Sequence, residues 1–388
     1  MRFVKLILRN TFRHKLRTLL TVTGIAIAVL AFTLLRTVVG SWYSAIDAAS
    51  ADRLVVRHAV SFVFSLPISY YNKIKSIPGV ENLSYAVWFQ GQYKDPKEFR
   101  NFFPRMAIDT EHYFEIYPEF RISKEHLEAF RKERNACIIG IKTVQQHNLK
   151  IGDIIPINGD IYPGKWEFVV RGIYHGRDRL TDETQMFFDW RYLNEQMEKT
   201  LPARAARVGW YMVKVARMED SPQVSARIDE LFKNSSFETK TETEKAFNQS
   251  FISMYSAIIT AMNFISFVIV GIILLVLANT MAMTARERTT EYAVLRTLGF
   301  NTGQLMGLIS GESLAISVTG GIVGLVGAFP IIKGFQAAFP NIFPLLPDPR
   351  ITILLGGSAA IAVGVLSAIL PLMRVSRMRI VDGLRHID

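Results

Sequence analysis

The 388-residue sequence contains one cysteine and lacks the short motifs that carry most enzyme chemistry. Cys137 alone cannot form an intramolecular disulfide, so we expect a small buried residue there, and cysteine usage does not indicate the redox compartment. The sequence has no H-E-x-x-H, paired-cysteine or G-x-S-x-G motif, and its seven histidines are scattered. These absences leave no basis for predicting a catalytic residue, a metal site or a bound cofactor in this chain.

A nucleotide-binding loop of the form G-x-x-x-x-G-K-[ST] is also missing from the sequence. The segments "YPGKWEF" and "IIGIKTV" each place a glycine near a lysine, but their spacing would not build a phosphate cradle. We therefore expect that this chain does not hydrolyse nucleotide by itself.

Long apolar runs are what the sequence does contain. A helix of about 20 apolar residues crosses the roughly 30 Å hydrocarbon core of a bilayer. Four runs are long enough, at residues 18–39, 251–283, 303–332 and 351–373. The first run is too long for the apolar core of a signal peptide, although small residues follow it at 48–51, so a retained anchor is favoured.

Basic residues lie beside these runs and predict how the chain crosses the membrane. The formal net charge is +11, and residues 1–17 contain six basic residues and no acidic one. The tail at residues 374–388 adds four arginines. Because Lys and Arg favour the cytoplasmic side, we expect an inner-membrane, multi-pass protein with both termini cytoplasmic and with membrane lipid, not nucleic acid, as its partner. An amphipathic N-terminus and a loop at residues 284–302 would then be cytoplasmic.

The predicted fold is an integral membrane protein with four transmembrane helices and a large α+β extracytoplasmic domain at residues 40–250. Residues 53–110 read as strand, helix and strand, and residues 207–245 repeat that order. The insert between them, about residues 111–206, begins helical at 123–133 and continues as short strands. This pattern predicts one lobe interrupted by a second, β-rich lobe, with a further short outer loop at residues 333–350.

The second run is longer than a bilayer requires. A helix over residues 251–283 would measure about 50 Å, against a hydrocarbon core of about 30 Å. Its outer end carries Ser253, Tyr255, Ser256, Thr260 and Asn263. We interpret the excess as a stalk that continues out of the membrane, and a tilted helix is the alternative.

Within the third run, Gly320 and Gly324 would let helix backbones approach closely.

Ion-driven carriers place ionisable residues near the middle of the bilayer. Arg36 and Lys333 lie near outer ends of their runs, so Glu312 is the main candidate, either as a polar contact inside the bundle or as a substrate contact.

The charged segment "ARERTTEYAVLRTLGF", residues 285–300, lies between two membrane-length runs. On a helix, two acidic and three aliphatic residues share one face, an aromatic and two basic residues follow a neighbouring stripe, and glycine ends it. Such a helix either lies on lipid headgroups or docks into a partner's groove, and acidic residues on the apolar side favour the groove. The residues assigned to docking are Glu287, Arg288, Glu291, Tyr292, Val294, Leu295, Arg296, Leu298 and Gly299.

This segment also resembles permeases of the MacB and FtsX type, the mechanotransmission or type VII ABC transporters. The matching blocks are "ANTMAMTARERTTEYAVLRTLGF", "LRNTFRHKLRTLLTVTGIAIAV", "SGESLAISVTGGIVGLVGA" and "PLMRVSRMRIVDGLRH". The resemblance implies a cytoplasmic coupling helix at about residues 284–299 that docks on a separate ATPase, which binds ATP and Mg. It also implies a porter lobe and a second permease copy, identical or related. With no fused nucleotide-binding domain, the chain is closer to stand-alone permeases such as LolC and LolE.

The function implied is that of a non-enzymatic ABC transporter permease that couples ATP turnover to movement of its outer domain. The cargo would be a lipoprotein, peptide or small molecule, and a periplasmic adaptor or lipoprotein is a possible partner. The alternative is an FtsX-like regulator or scaffold that controls an envelope enzyme without transport. A secondary carrier independent of any ATPase is a third option.

Overall fold

The computed structural model describes residues 2–11, 13–47, 49–50, 52–95, 97–338 and 345–377. The α-helices are α1 (Arg2–Thr11), α2 (Lys15–Asp47), α3 (Tyr70–Lys75), α4 (Tyr113–Ile116), α5 (Lys124–Lys132), α6 (Ile141–His147), α7 (Trp190–Thr200), α8 (Ser221–Leu231), α9 (Glu244–Ser253), α10 (Ser256–Glu287), α11 (Thr289–Thr297), α12 (Thr302–Ala338) and α13 (Pro349–Arg377). The strands are β1 (Arg53–His58), β2 (Leu66–Pro67), β3 (Val80–Trp88), β4 (Gly91–Gln92), β5 (Arg105–Ile108), β6 (Phe120–Arg121), β7 (Ala136–Gly140), β8 (Ile154–Gly159), β9 (Gly164–Gly176), β10 (Met186–Asp189), β11 (Arg207–Val208), β12 (Trp210–Val215) and β13 (Thr239–Thr243).

The chain divides into two compact units. The membrane unit comprises Met1–Gly40, Ser256–Gly334 and Pro347–Asp388. The inserted domain comprises Ser41–Tyr255 and Phe335–Leu346. The large α/β domain therefore lies between the first and second membrane helices in sequence, as predicted.

Among the described residues, four helices are long and apolar enough to cross a membrane: Lys15–Ser44, Ser256–Glu287, Thr302–Ala338 and Pro349–Ser376. Each predicted run therefore contributes a membrane-length helix, and helix α12 extends into the predicted outer loop. Residues 339–344 of that loop and 378–388 of the predicted tail lie outside the described residues.

The second membrane helix begins later than the sequence suggested. A turn at Met254 and Tyr255 separates α9 from α10, so Phe251 to Ser253 belong to α9. The remaining α10 still has 32 residues, but α2 has 33 and α12 has 37. Excess length is therefore not particular to the second helix, and the stalk stays a prediction.

Two polar contacts between α2 and α10 mark the ends of an apolar layer. Arg17 forms two hydrogen bonds of 2.7 and 2.8 Å with the Glu287 carboxylate, and Arg36 donates to the Asn263 side-chain oxygen at 2.6 Å. Along α2, the two arginines are separated by about 28 Å at a rise of about 1.5 Å per residue. That separation is close to the hydrocarbon thickness of about 30 Å, so the two contacts fit the two faces of a bilayer.

Helices α2 and α12 approach each other at two glycines. A Cβ atom on Gly320 would lie 2.7 Å from the Cβ of Ile25, and one on Gly324 would lie 2.5 Å from the carbonyl oxygen of Ala26. These separations are shorter than a carbon side chain permits, so the two glycines let the helix backbones pack closely.

The inserted domain is built on an eleven-stranded mixed sheet. Its strand order is β13-β1-β12-β3-β5-β10-β7-β9-β8-β4, and β6 pairs with β9. Strand pairs β5–β10 and β7–β9 are parallel, whereas β1 pairs antiparallel with both β12 and β13. The two strand–helix–strand segments predicted at residues 53–110 and 207–245 are thus interleaved in one end of the sheet.

The predicted β-rich insert does not form a sheet of its own. Strands β8, β9 and β10 provide the short strands predicted after the helical start of the insert, and Ser123 caps the predicted helix α5. The sequence analysis missed β7, a five-residue strand that is buried throughout and joins β10 to β9. A short apolar strand buried on both faces lacks the alternation that identifies strands in sequence. Through β7 and β10 the insert continues the main sheet.

The core of this domain runs along that continuous sheet. One buried cluster includes Leu54 and Val213 from the outer segments together with Ile139 and Phe168 from the insert. Cys137 is fully buried on β7. Burial raises the pKa of its thiol because the thiolate would lose its hydration. The expectation of a small core residue at this position is confirmed.

Candidate docking site

The charged segment folds as the end of one helix and a second, short helix. The sequence predicted a single helix over about residues 284–299, but α10 ends at Glu287 and α11 begins at Thr289. Arg288 lies between them with φ −102° and ψ 14°, outside the helical range. The helical conformation is therefore interrupted at Arg288, so the segment is not one continuous helix.

Helix α11 ends at Thr297, and Gly299 lies just beyond it, where the sequence suggested that glycine would stop the helix. Gly299 has φ +95°, a conformation that costs glycine little and other residues more. The backbone N–H of Phe300 donates to the Leu295 carbonyl at 3.0 Å, and that of Gly299 donates to the Arg296 carbonyl at 3.1 Å. This is a Schellman motif, which satisfies carbonyl groups left free at the helix end.

One side of α11 is buried in the membrane unit. Tyr292 and Ala293 are 1% and 0% exposed, and the half-buried Leu295 packs against the same cluster. Arg296 is half-buried and donates to the Thr302 hydroxyl at 2.8 Å. These contacts attach the helix to its own chain, so Tyr292 is not available to a partner.

A buried ion pair joins the α10–α11 junction to α12. Arg288 contacts Glu312 at 2.7 Å, and their side chains are only 8% and 4% exposed. Arg288 also contacts Glu291 at 2.9 Å. Burial by itself lowers the pKa of Arg288, but the neighbouring carboxylates outweigh burial and hold that pKa above its ordinary value. Of the two alternatives for Glu312, the structure has the polar contact inside the bundle.

The two acidic residues expected on the docking face are paired within the chain. Glu287 contacts Arg17 at 2.7 Å, and Glu291 contacts Arg13 at 2.6 Å. Burial alone raises the pKa of Glu291, but hydrogen bonds from Arg288 and Arg13 keep that pKa below its ordinary value. Since their charges are compensated, the acidic residues no longer argue against a lipid partner.

The sequence analysis counted Arg13 and Arg17 only as basic residues near a span. They lie 278 and 270 residues from their acidic partners, so no local pattern connects them. The only available signal was a basic segment and an acidic segment assigned to the same side of the membrane. Arginine and carboxylate pairs on an exposed surface contribute about 0–1 kcal/mol each to stability. These two contacts therefore add little to the stability of the fold, and their main effect is to orient the helices that they join.

The exposed side of α11 is small and aliphatic. Val294 is 42% exposed and Leu298 is 72% exposed. They lie one turn apart and share a face with the half-buried Leu295, while Thr297 and Gly299 beside them are also exposed. We call Val294, Thr297 and Leu298 the docking face. Of the nine residues assigned from sequence, the structure thus leaves Val294, Leu298 and Gly299 exposed without a charged partner, and the exposed Glu287 is paired with Arg17.

Among the described residues, no group of three or more His, Cys, Asp or Glu side chains forms a potential metal site. The contacts around α11 are ion pairs and apolar packing, which attach this helix to the rest of the membrane unit. The fold and this site define a membrane protein with four candidate spans and a large α/β domain between the first and second.

Comparison with known families identifies the class. The MacB-like periplasmic core domain matches residues 18–231, and the FtsX-like permease C-terminal domain matches residues 263–380. The chain belongs to this MacB/FtsX-like family of ABC transporter permeases.

Two relatives are similar over different lengths. The ABC transporter permease MJ1507 of Methanocaldococcus jannaschii is 25% identical over 344 residues, which cover 82% of this chain and 80% of that protein. The ABC transporter permease YvrN of Bacillus subtilis is 30% identical over 108 residues, which cover 28% of this chain and 26% of that protein.

Solved structures of two related domains are also similar. The extracellular domain of the ABC-type transporter YknZ from Gram-positive bacteria is 11% identical with a TM-score of 0.36, covering 49% of this chain and 98% of that structure. The periplasmic region of MacB from Actinobacillus actinomycetemcomitans is 12% identical with a TM-score of 0.39, covering 53% of this chain and 95% of that structure.

Proposed function

We propose that this chain is a permease subunit that couples ATP hydrolysis by a separate cytoplasmic ATPase to movement of its inserted domain. The ATPase would hold ATP and Mg, and it would contact the permease at the docking face of α11. Two permease copies, identical or related, would each receive one ATPase subunit. The movement would serve export or extraction of a lipoprotein, a peptide or a small molecule.

The observation that carries the proposal is the combination of an exposed aliphatic face with a buried attachment. Val294 and Leu298 are exposed on a short helix whose opposite side is buried. A helix with i, i+4 aliphatic anchors is suited to a groove on another protein. The permease family supplies the class of partner, because an ABC transporter permease works with an ABC ATPase.

The ion pairs supply a route for force. Arg288 links the start of α11 to α12 through Glu312, and Arg17 links the end of α10 to α2 through Glu287. A buried pair resists separation, because pulling it apart leaves two charges without partners in an apolar surrounding. Movement of α11 would therefore be passed to α12 first, and to α2 more weakly through the exposed pair.

The test introduces charge on the docking face without touching the ion pairs. We expect Val294→Asp combined with Leu298→Asp to weaken association with the co-purifying ABC ATPase by at least about tenfold, because an interface anchor would become a desolvated charge. ATPase activity stimulated by the permease should fall in parallel. The measurement is co-purification with a tagged permease from its own membranes, followed by ATPase assays.

Ser376→Asp is the matched control, because Ser376 is exposed on α13 and lies outside the docking face. It should leave both association and stimulation unchanged. ATPase recovery by the double variant at the wild-type level, with normal membrane insertion, would rule out the docking face as the coupling surface. Charge reversal of Glu291 is a poorer test, since Glu291 already pairs with Arg13 and Arg288.

A further inference from the structure

An open cleft lies beside the α10–α11 junction. It is formed by the last turn of α10, the first residue of α11 and the last turns of α13, and its volume is about 530 Å³. Its lining includes the basic residues Arg286 and Arg374 and the apolar residues Leu370 and Met373. Both walls are the ends of membrane-length helices, so the cleft spans the boundary between an apolar layer and water.

The two arginines of the cleft differ from others at this end of the membrane unit. Arg13, Arg17 and Arg288 each contact a carboxylate. Within the described part of the chain, the exposed Arg286 and Arg374 make no ion pair and no side-chain hydrogen bond. Among the described residues, none neutralises the two positive charges of the cleft.

The apolar part of the cleft indicates which kind of anionic ligand would suit the two arginines. Leu370 and Met373 are 52% and 50% exposed, and both belong to the candidate span Pro349–Ser376. An exposed aliphatic side chain near the end of a candidate span is suited to contact with the first carbons of an acyl chain. Guanidinium groups at headgroup level above an aliphatic wall match a phosphate-bearing head and the first carbons of an acyl chain.

We propose that this cleft binds an anionic phospholipid, with its phosphate between Arg286 and Arg374 and its acyl chain along Leu370 and Met373. A lipid held there bridges α13 and the α10–α11 junction. The site is separate from the docking face, and it does not depend on ATPase binding.

The test uses dioleoyl phosphatidylglycerol and dioleoyl phosphatidylcholine as probes on the purified full chain. Native mass spectrometry in detergent measures how much of each lipid stays bound. We expect the wild-type chain to retain phosphatidylglycerol preferentially. The Arg286→Gln/Arg374→Gln variant should lose that preference by about fivefold for each arginine removed.

Arg9→Gln/Lys15→Gln is the charge-matched control, because both residues are exposed basic residues of the same membrane unit outside the cleft. An equal loss in this control would attribute retention to overall charge and overturn the site. Leu370→Trp keeps both arginines while filling the cleft, and it should also reduce phosphatidylglycerol retention. Retention unaffected by Leu370→Trp and by Arg286→Gln/Arg374→Gln would refute the proposal.

Two further experiments distinguish a bound lipid from the two other ligands that the cleft could accept, inorganic phosphate and the ATPase. Displacement of phosphatidylglycerol by inorganic phosphate at equal concentration would make this a phosphate site with no need for an acyl chain. Loss of ATPase co-purification from Arg286→Gln/Arg374→Gln in lipid-free detergent, with lipid retention intact, would assign the cleft to the ATPase interface. Either result overturns the lipid site, and the Val294 and Leu298 experiment reports independently on the docking face.

Discussion

At the scale of single residues, the Arg288–Glu312 pair places two opposite charges in the interior of the membrane unit. Both side chains are almost completely buried and lie 2.7 Å apart. A buried pair gains little over two apolar residues, because desolvation offsets the attraction, but removing one partner leaves the other charge buried without its ion-pair partner. Its contribution is therefore seen most clearly when the two residues are changed separately and together.

We expect Arg288→Met to destabilise the protein by about 3–5 kcal/mol, since Glu312 would remain buried without its partner. Arg288→Met/Glu312→Leu should recover most of that loss by removing both charges. Thermal and denaturant unfolding of the full chain in detergent provide the measurement.

Arg17→Met serves as the comparison for this cycle, because its pair with Glu287 is partly exposed. Its cost should stay within about 1 kcal/mol. A double variant as unstable as Arg288→Met alone would contradict the assignment of the cost to an uncompensated charge.

At the scale of elements, the contact between α2 and α12 depends on residues without side chains. Gly320 meets Ile25, and Gly324 meets the backbone of Ala26 and the side chain of Val29. Backbone atoms cannot rotate away as side chains do. A glycine packed against backbone, such as Gly324, therefore tolerates substitution less than a glycine packed against a flexible side chain. Packing of these two helices therefore limits which residues Gly324 permits.

Gly324→Ala should lower the melting temperature of the protein in detergent. Its Cβ would lie 2.5 Å from the Ala26 carbonyl oxygen, and overpacking of this kind costs about 1–3 kcal/mol. Alanine also favours a helix over glycine by about 1 kcal/mol, which reduces the net loss.

Gly271→Ala in α10 isolates the helix-propensity effect, since a Cβ there meets no atom within 4 Å. This variant should melt at or above the wild-type temperature. Equal melting temperatures for the two alanine variants would contradict the close α2–α12 packing.

At the scale of the whole molecule, the direction in which the chain crosses the membrane decides whether a cytoplasmic ATPase can reach α11. Counting basic residues predicts that α11 faces the cytoplasm and that the inserted domain lies outside. The single cysteine makes this testable, because Cys137 is fully buried and burial raises the pKa of its thiol. Cys137 should therefore not react with a thiol label, so any labelling can be assigned to an introduced cysteine.

We expect a membrane-impermeant maleimide to label Lys165→Cys in intact cells and to label Leu298→Cys only after permeabilisation. Both positions are exposed, one on β9 of the inserted domain and the other on the docking face. The wild-type chain should remain unlabelled in both conditions. Labelling of Leu298→Cys in intact cells would place α11 outside and exclude its contact with a cytoplasmic ATPase.

The amino-acid sequence by itself determined the features that depend on local physics. Runs of apolar residues long enough for a bilayer predicted all four membrane helices, because each backbone hydrogen bond in lipid must be made within the helix. Gly299 predicted the end of α11, because glycine adopts positive φ at little cost. Local sequence pattern also predicted strands β1, β3 and β12, although β1 is buried at five consecutive residues and is not covered on one face alone.

Only the tertiary structure decided which distant residues meet. Arg13 and Glu291 are 278 residues apart, and their contact depends on how α1, α2 and α11 pack. Strand β7 joined the insert to a continuous sheet because its neighbours β9 and β10 supplied hydrogen bonds that no local pattern specifies. The same holds for the docking face. Helical spacing grouped nine candidate residues, but burial of Tyr292 and pairing of the acidic residues left mainly Val294 and Leu298 for a partner.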